Sequence, residues 1–175
     1  MSTLRHRRAG TRSALIDGYF RQASDLWERG ELRRAFRFFL AAAKEGDESC
    51  QLNVGYFYDE GLGVRRSSDK ALFWYRRAYR NGSASAAANI GLILREKGKP
   101  KTSLEWLLRA LRGGNQDSAL DIGLAYLSTQ RGLSRAIKYL RLAAKSKAVT
   151  EATRERARTL LQEALRKRER SRSAE

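Results

Sequence analysis

The sequence repeats itself, and this limits the possible folds more than any other property of the chain. Residues 35–46 (AFRFFLAAAKEG), 71–82 (ALFWYRRAYRNG) and 103–114 (SLEWLLRALRGG) align, and residues 136–147 (AIKYLRLAAKSK) match except at the last position. Each segment opens on a small residue and passes through an aromatic or apolar cluster. Each then reaches alanine seven residues on, at Ala42, Ala78, Ala110 and Ala143. Nine residues beyond Gly46, Gly82 and Gly114 stand Gly55, Gly91 and Gly123, each preceded five residues earlier by a small side chain (Cys50, Ala86, Ser118). The spacing is 36 residues and then 32, read from Gly55 to Gly91 to Gly123. Periods of this size belong to arrays of small stacked units rather than to a single closed core.

The unit reads as helix–turn–helix. Small residues seven apart on a helix share a face two turns removed, and let a neighbouring helix approach closely. Gly46, Gly82 and Gly114 follow the second helix of each pair, where a residue in the left-handed conformation ends a helix at no steric cost. Gly55, Gly91 and Gly123 fall inside the leading helix of a pair. There each costs about 1 kcal/mol against alanine, so their recurrence marks points where helix axes cross closely. Ser67 or Ser68 is placed to cap the helix beginning near Asp69, and Thr102 the helix near Leu104. The pattern predicts helices at 15–29, 31–45, 48–60, 68–81, 84–97, 101–112, 116–128, 133–145 and 149–170. The expected fold is all-α, a right-handed α-solenoid of antiparallel helix pairs. Its divisions are a basic disordered leader (1–14), a repeat array (15–147), and a C-terminal capping helix with a basic tail (148–175), with 171–175 disordered.

Composition agrees. There is one proline, Pro100, in 175 residues, and 42% of residues are hydrophobic, enough to bury a core. The net charge of +17 attracts phosphate, anionic surfaces or acidic partners without choosing among them. Arg5, Arg7, Arg8 and Arg12 lie in the leader with no acid beside them. Residues 133–175 hold thirteen bases against five acids, so the ends carry most of the excess. A lone cysteine, Cys50, allows no internal disulfide. No apolar run approaches the length of a membrane span, and no secretory signal follows the first arginines, so the expected location is the cytoplasm.

The string CQLNVGYFYDEGLGV and the following SSDKALFWYRRAYRNG resemble the Sel-one-like repeat, a relative of the tetratricopeptide repeat. The pattern is met by Cys50, Val54, Gly55, Tyr58, Gly61, Gly63 and Val64, then by Lys70, Ala71, Trp74, Tyr75, Ala78 and Gly82. Ser67 departs from it, standing where the family usually has aspartate. The later repeats lose the Gly–x–Gly–Val turn but keep an aromatic at Trp106 and Tyr139. The resemblance covers about residues 15–147 and implies an adaptor or scaffold that holds a protein or peptide partner in a concave groove.

Catalytic groups are scarce. His6, the single histidine, lies in the leader, which leaves no His-based triad or histidine metal site in the body. Gly61–Leu62–Gly63 reads as a turn, Asp59 and Glu60 point about 100° apart on a helix, and Cys50 occupies a packing position. No catalytic residue, cofactor or metal is therefore expected, and the chain is read as a non-enzyme. Asn53, Asn89 and Asp121 precede the leading-helix glycines by two residues, and Tyr56, Leu92 and Leu124 follow them by one. In tetratricopeptide relatives an asparagine at the matching place bonds the backbone of a bound peptide. The resemblance therefore implies partner binding at these six positions, against the plainer reading of polar residues on a helix surface or links between repeats. A basic series on the following helices (Arg34, Lys70, Arg135; Lys44, Arg80, Arg112, Lys145) reads first as a solvated face. A further alternative is electrostatic binding of nucleic acid or another polyanion through the ends, with Arg166, Lys167, Arg168, Arg170 and Arg172 as its residues.

Overall fold

A computed structural model of the protein describes residues 2–129 and 132–172. Among these residues the regular structure is all helix, with no strand: α1 (Ser2–Glu28), α2 (Leu32–Lys44), α3 (Glu48–Glu60), α4 (Ser68–Arg80), α5 (Ala84–Glu96), α6 (Pro100–Arg112), α7 (Ser118–Leu127), α8 (Leu133–Lys145) and α9 (Glu151–Arg172). The leading helix of each pair is α1, α3, α5 or α7, and the following helix is α2, α4, α6 or α8. This is the expected all-α class of repeat solenoids. The chain forms two compact units, Met1–Ala86 and Ala87–Glu175, with the boundary inside α5.

In the three pairs α3–α4, α5–α6 and α7–α8 the helices meet where the leading helix has no side chain. A Cβ on Gly55 would lie 2.5 Å from Cδ1 of Tyr75, one on Gly91 would lie 2.9 Å from Cγ of Leu107, and one on Gly123 would lie 2.8 Å from Leu140. Tyr75, Leu107 and Leu140 each stand four residues after the small residue that opens the aligned segment (Ala71, Ser103, Ala136), one turn along the same face. All six of these following-helix residues are buried. In the C-terminal unit Ser103 adds a hydrogen bond, its Oγ donating to the Gly91 carbonyl at 2.7 Å.

The N-terminal unit is held by an aromatic core. Phe36, Phe39 and Phe57 are buried, and Trp27 sets its indole edge-on to Phe39 and Phe57, at 5.9 and 5.2 Å between centroids. Beside this core the buried Gln51 amide donates to the Ala43 carbonyl at 3.1 Å. Asn81 in turn donates to Gln51 Oε1 at 2.9 Å and to the Gly46 carbonyl at 3.1 Å. These bonds tie the ends of α2 and α4 to α3 and satisfy polar groups whose burial is otherwise costly. In the C-terminal unit Ala157 and Ala164 of α9 are buried in the core formed by Ala119, Leu120, Ile137, Leu140 and Ala143.

The helix ends follow their local chemistry. Asp47 caps α3 by accepting from Cys50 N at 2.7 Å, and Ser67 caps α4 by accepting from Lys70 N at 3.3 Å. Gly46, Gly82 and Gly114 take φ of 100°, 108° and 101°, ending their helices as expected. Thr102 does not cap α6. That helix starts at Pro100, whose fixed φ and missing N–H suit a first-turn position. The N-terminal stretch also differs from expectation. Residues 2–14, read as a disordered leader, continue α1, because nothing in the sequence halts a helix before Gly30 (φ 76°). At the other end the helical backbone of α9 extends to Arg172, beyond the expected stop at 170.

Two glycine-to-alanine changes should move stability in opposite directions. Gly18 lies inside α1 with nothing within 4 Å of the point where an alanine methyl would stand, so Gly18→Ala should stabilise by up to about 1 kcal/mol through helix propensity. Gly55→Ala gains the same propensity but drives a methyl into Tyr75, and should lose about 1–3 kcal/mol net. Urea unfolding of both variants and the parent checks the sign.

Candidate functional site

The leading helices supply the candidate binding face. Ser49, Asn53 and Tyr56 stand at i, i+4 and i+7 on α3, and Phe20, Ser24 and Trp27 have the same spacing on α1, so each trio shares a face. Within the N-terminal unit the two faces adjoin. The Trp27 and Tyr56 rings lie 5.9 Å apart. A turn or two away, a cleft of about 320 Å³ is lined by Asp17, Phe20 and Arg21 of α1 with Asp47 and Ser49 at the start of α3. Phe20 is 37% exposed and Tyr56 38%, large fractions for rings beside a core, while Asn53 is half-buried. The half-buried Asn53 amide thus shares its helix face with Tyr56, close to exposed aromatic surface. An amide both donates and accepts, which matches the alternating groups of a peptide backbone.

The other candidates lie in the C-terminal unit, Asn89 and Leu92 on α5 and Asp121 and Leu124 on α7, all half-buried. Asp121 is engaged within the protein. Its carboxylate accepts from Arg95 Nη1 at 3.0 Å, joining α7 to α5. The plainer reading, a link between repeats, describes Asp121. Among the described residues, neither the Asn53 nor the Asn89 side chain has a bond of this kind.

The remaining sequence candidates stay structural in their placement. Cys50 is fully buried. Burial pushes its thiol well above the ordinary range, and the neighbouring Asp47 carboxylate, through a hydrogen bond and its charge, pushes it further. Gly61 and Gly63 take φ of 74° and 64° in a tight turn. A Cβ on Gly63 would meet the Arg33 nitrogen at 2.7 Å, so the turn is pressed against the start of α2. Among the described residues no group of three or more His, Cys, Asp or Glu is placed to hold a metal ion. None of the described helices is long and apolar enough to cross a membrane.

From α2 to α8 charge divides by helix type, a pattern invisible when it is summed along the chain. Of the following helices, α2 bears Arg33, Arg34, Arg37 and Lys44, and α8 bears Arg135, Lys138, Arg141 and Lys145, with no acid on either. On α4, Lys70, Arg76, Arg77 and Arg80 face only Asp69, and on α6, Lys101, Arg109 and Arg112 face only Glu105. Of the leading helices, α3 has Glu48, Asp59 and Glu60 and no base, α7 has Asp121 alone, and α5 has one of each, Arg95 and Glu96; α1 departs from the pattern, with five arginines against Asp17, Asp25 and Glu28. Several of the bases lie over rings: Arg77 over Trp74 at 5.2 Å, Arg109 over Trp106 at 4.7 Å, Lys70 over Tyr58 at 5.2 Å and Arg135 over Tyr126 at 5.6 Å. On α9, Arg154 and Arg158 are bonded to Glu151, and Arg158 also to Glu155. Arg166, Lys167 and Arg170 are exposed, and Arg168 is half-buried with its Nε unbonded; the Arg172 side chain lies outside the described residues.

The Sel1 repeat model matches residues 29–47, 49–83, 84–115 and 122–147. The chain belongs to the Sel1-repeat family. Sel1 repeats and their tetratricopeptide relatives generally mediate protein–protein interaction and are generally non-enzymatic. Over 63 residues the chain is 36% identical to the chitin synthase regulator SKT5 of Saccharomyces cerevisiae, a match covering 36% of this chain and 9% of the yeast protein. The crystal structure of a Sel1 repeat protein from Oxalobacter formigenes is similar, with 30% identity and a TM-score of 0.56, over 63% of this chain and 47% of that one. So is c5321, a protective antigen of uropathogenic Escherichia coli strains with the same repeat fold. It is 18% identical with a TM-score of 0.69, over 87% of this chain and 38% of that one. The chain thus spans less than half the length of each of these proteins.

The first of the four Sel1 matches starts at residue 29, which explains why sequence reading missed Phe20 and Trp27. The α1 segment lacks the glycine of its counterparts. Ala23, buried in the α1–α2 core with Phe39, fills that role, and its spacing of twelve residues to Ala35 equals that of Gly91 to Ser103. That spacing is the signal that could have found them.

The buried thiol has a pH consequence. Because the folded state holds Cys50 protonated where the unfolded chain ionises near pH 8.5, stability should be unaffected below that pH and fall as pH rises above it. Denaturant titrations at pH 7.5 and 10 should show the loss, and Cys50→Ala should reduce it.

Proposed function

We propose that this Sel1-repeat protein is a non-catalytic adaptor that holds a segment of a partner protein along the leading-helix face of its repeats, the side expected to form the concave groove. The carrying observation is the face in the N-terminal unit, where the half-buried Asn53 shares a surface with exposed Tyr56 and Phe20 and with Trp27. Asn53 would bond the partner's backbone while the rings take its apolar side chains, aromatic anchors being the usual source of affinity at such sites. Within the C-terminal unit, Asn89, Leu92 and Leu124 would offer contacts of their own, with Asp121 and Arg95 as a charged pair.

Native-lysate capture with nuclease present tests this. The parent should recover a defined protein, and the Asn53→Ala/Asn89→Ala variant should recover at least tenfold less with unchanged helical circular dichroism. Equal recovery would remove the leading-helix face from the function.

The charge segregation supports a second reading, binding of nucleic acid or another polyanion through the basic ends and the following helices. Its distinguishing quantity is salt dependence, because each phosphate neutralised releases counterions. Polyanion affinity should fall linearly with log salt for the parent, and the slope should flatten by several units when residues 166–175 are removed.

A further inference from the structure

The N-terminal unit has a second candidate surface, separate from the leading-helix face. Two adjoining clefts, of about 400 and 200 Å³, run along the seam between α1 and α2 and share Arg34 and Phe38. Their lining comes from these two helices and from Arg29 in the turn between them. On α1 the apolar stripe is Leu15, Tyr19 and Leu26, spaced by four and seven residues. On α2 it is Phe38 and Ala41. Tyr19 and Phe38 lie ring to ring at 6.0 Å and are only partly buried, and Leu15 is 50% exposed.

We infer that this seam is a docking site for an acidic amphipathic helix of a partner protein. Helical form follows from what the seam offers. The backbone groups of α1 and α2 are spent within their own helices, so the surface presents side chains and no edge for β-addition. An incoming segment must satisfy its own backbone, as a helix does. Leu15 to Glu28 spans about 20 Å of α1, room for between three and four turns of partner. The C-terminal unit shows the same solution within the chain, α9 laying Ala157 and Ala164 on the α7–α8 core. Acidity follows from the rim: Arg29, Arg34 and Arg37 are exposed along it, and the acids beside them are Asp25 and Glu31, the latter already bonded to Arg34. An apolar stripe bordered by guanidinium groups suits a helix with bulky apolar residues at i, i+3/i+4 and i+7 and carboxylates on its flanks.

The probes are two fluorescent 15-residue peptides on one alanine-rich helical scaffold, with the same leucine and phenylalanine stripe and either glutamates or lysines on the flanks. They are titrated by anisotropy against the full chain. The acidic peptide should bind at least tenfold tighter than the basic one. Ala41→Glu, which puts a charge into the cleft at little cost to the core, should weaken acidic-peptide binding tenfold or more, as should Phe38→Glu. Arg37→Glu should cost at least threefold more than Arg141→Glu, which makes the same change in net charge on α8. Asn53→Ala/Asn89→Ala should leave this binding unchanged, which separates the seam from the leading-helix face. Equal losses from Arg37→Glu and Arg141→Glu would show attraction by net charge alone and overturn the proposal. So would binding insensitive to Ala41→Glu, or sedimentation showing a dimer that Ala41→Glu dissociates, which would make a second copy the occupant.

Discussion

The packing within three of the four pairs rests on a missing side chain. At Gly55, Gly91 and Gly123 the leading helix has no Cβ, and the side chain of Tyr75, Leu107 or Leu140 fills the space where one would stand. Close packing leaves no slack there, since interiors have the density of organic crystals and added atoms force strained rotamers or displaced backbone. Each glycine gives up helix propensity to gain this contact, and the exchange recurs in both units. The buried small residues of the following helices, such as Ala71 and Ser103, complete the approach from the other side.

With the pairs fixed in this way, the two helix types carry different chemistry. The leading helices α3, α5 and α7 bear few charges and keep amides, apolar groups and acids, whereas the following helices hold most of the basic excess, partly laid over aromatic rings. A guanidinium over an indole covers apolar surface while its charge stays hydrated. The arrangement leaves amides and apolar groups on α3, α5 and α7 and most of the positive charge on the following helices.

Much of this was legible in the residues because the repeat supplied several independent readings of one unit. Helix boundaries for α3 through α8 fell within two residues of expectation, since capping residues and terminal glycines recur at fixed offsets. The reading weakened where the repeat was degenerate. Thr102 looked like a cap, but Pro100 starts α6 earlier, and the arginine-rich start of the chain looked disordered although its backbone continues α1. The aromatic surface of Phe20 and Trp27 was missed because Ala23 replaces the glycine that marks the other leading helices.

The sequence alone determined the all-α class, the pairing of helices and the places where they cross, because these depend on local periodicity and on residues of unique steric freedom. Tertiary structure decided which side chains are free to act. Asn53 and Asp121 occupy equivalent sequence positions, yet Asp121 is bonded to Arg95 across two helices while Asn53 shares a face with exposed aromatics. The α1–α2 seam likewise comes from residues in two different helices, whose spacing within either one gives no sign of a shared cleft. Local spacing decides which face of its own helix a residue occupies, whereas its partners across helices depend on packing, which no single segment encodes.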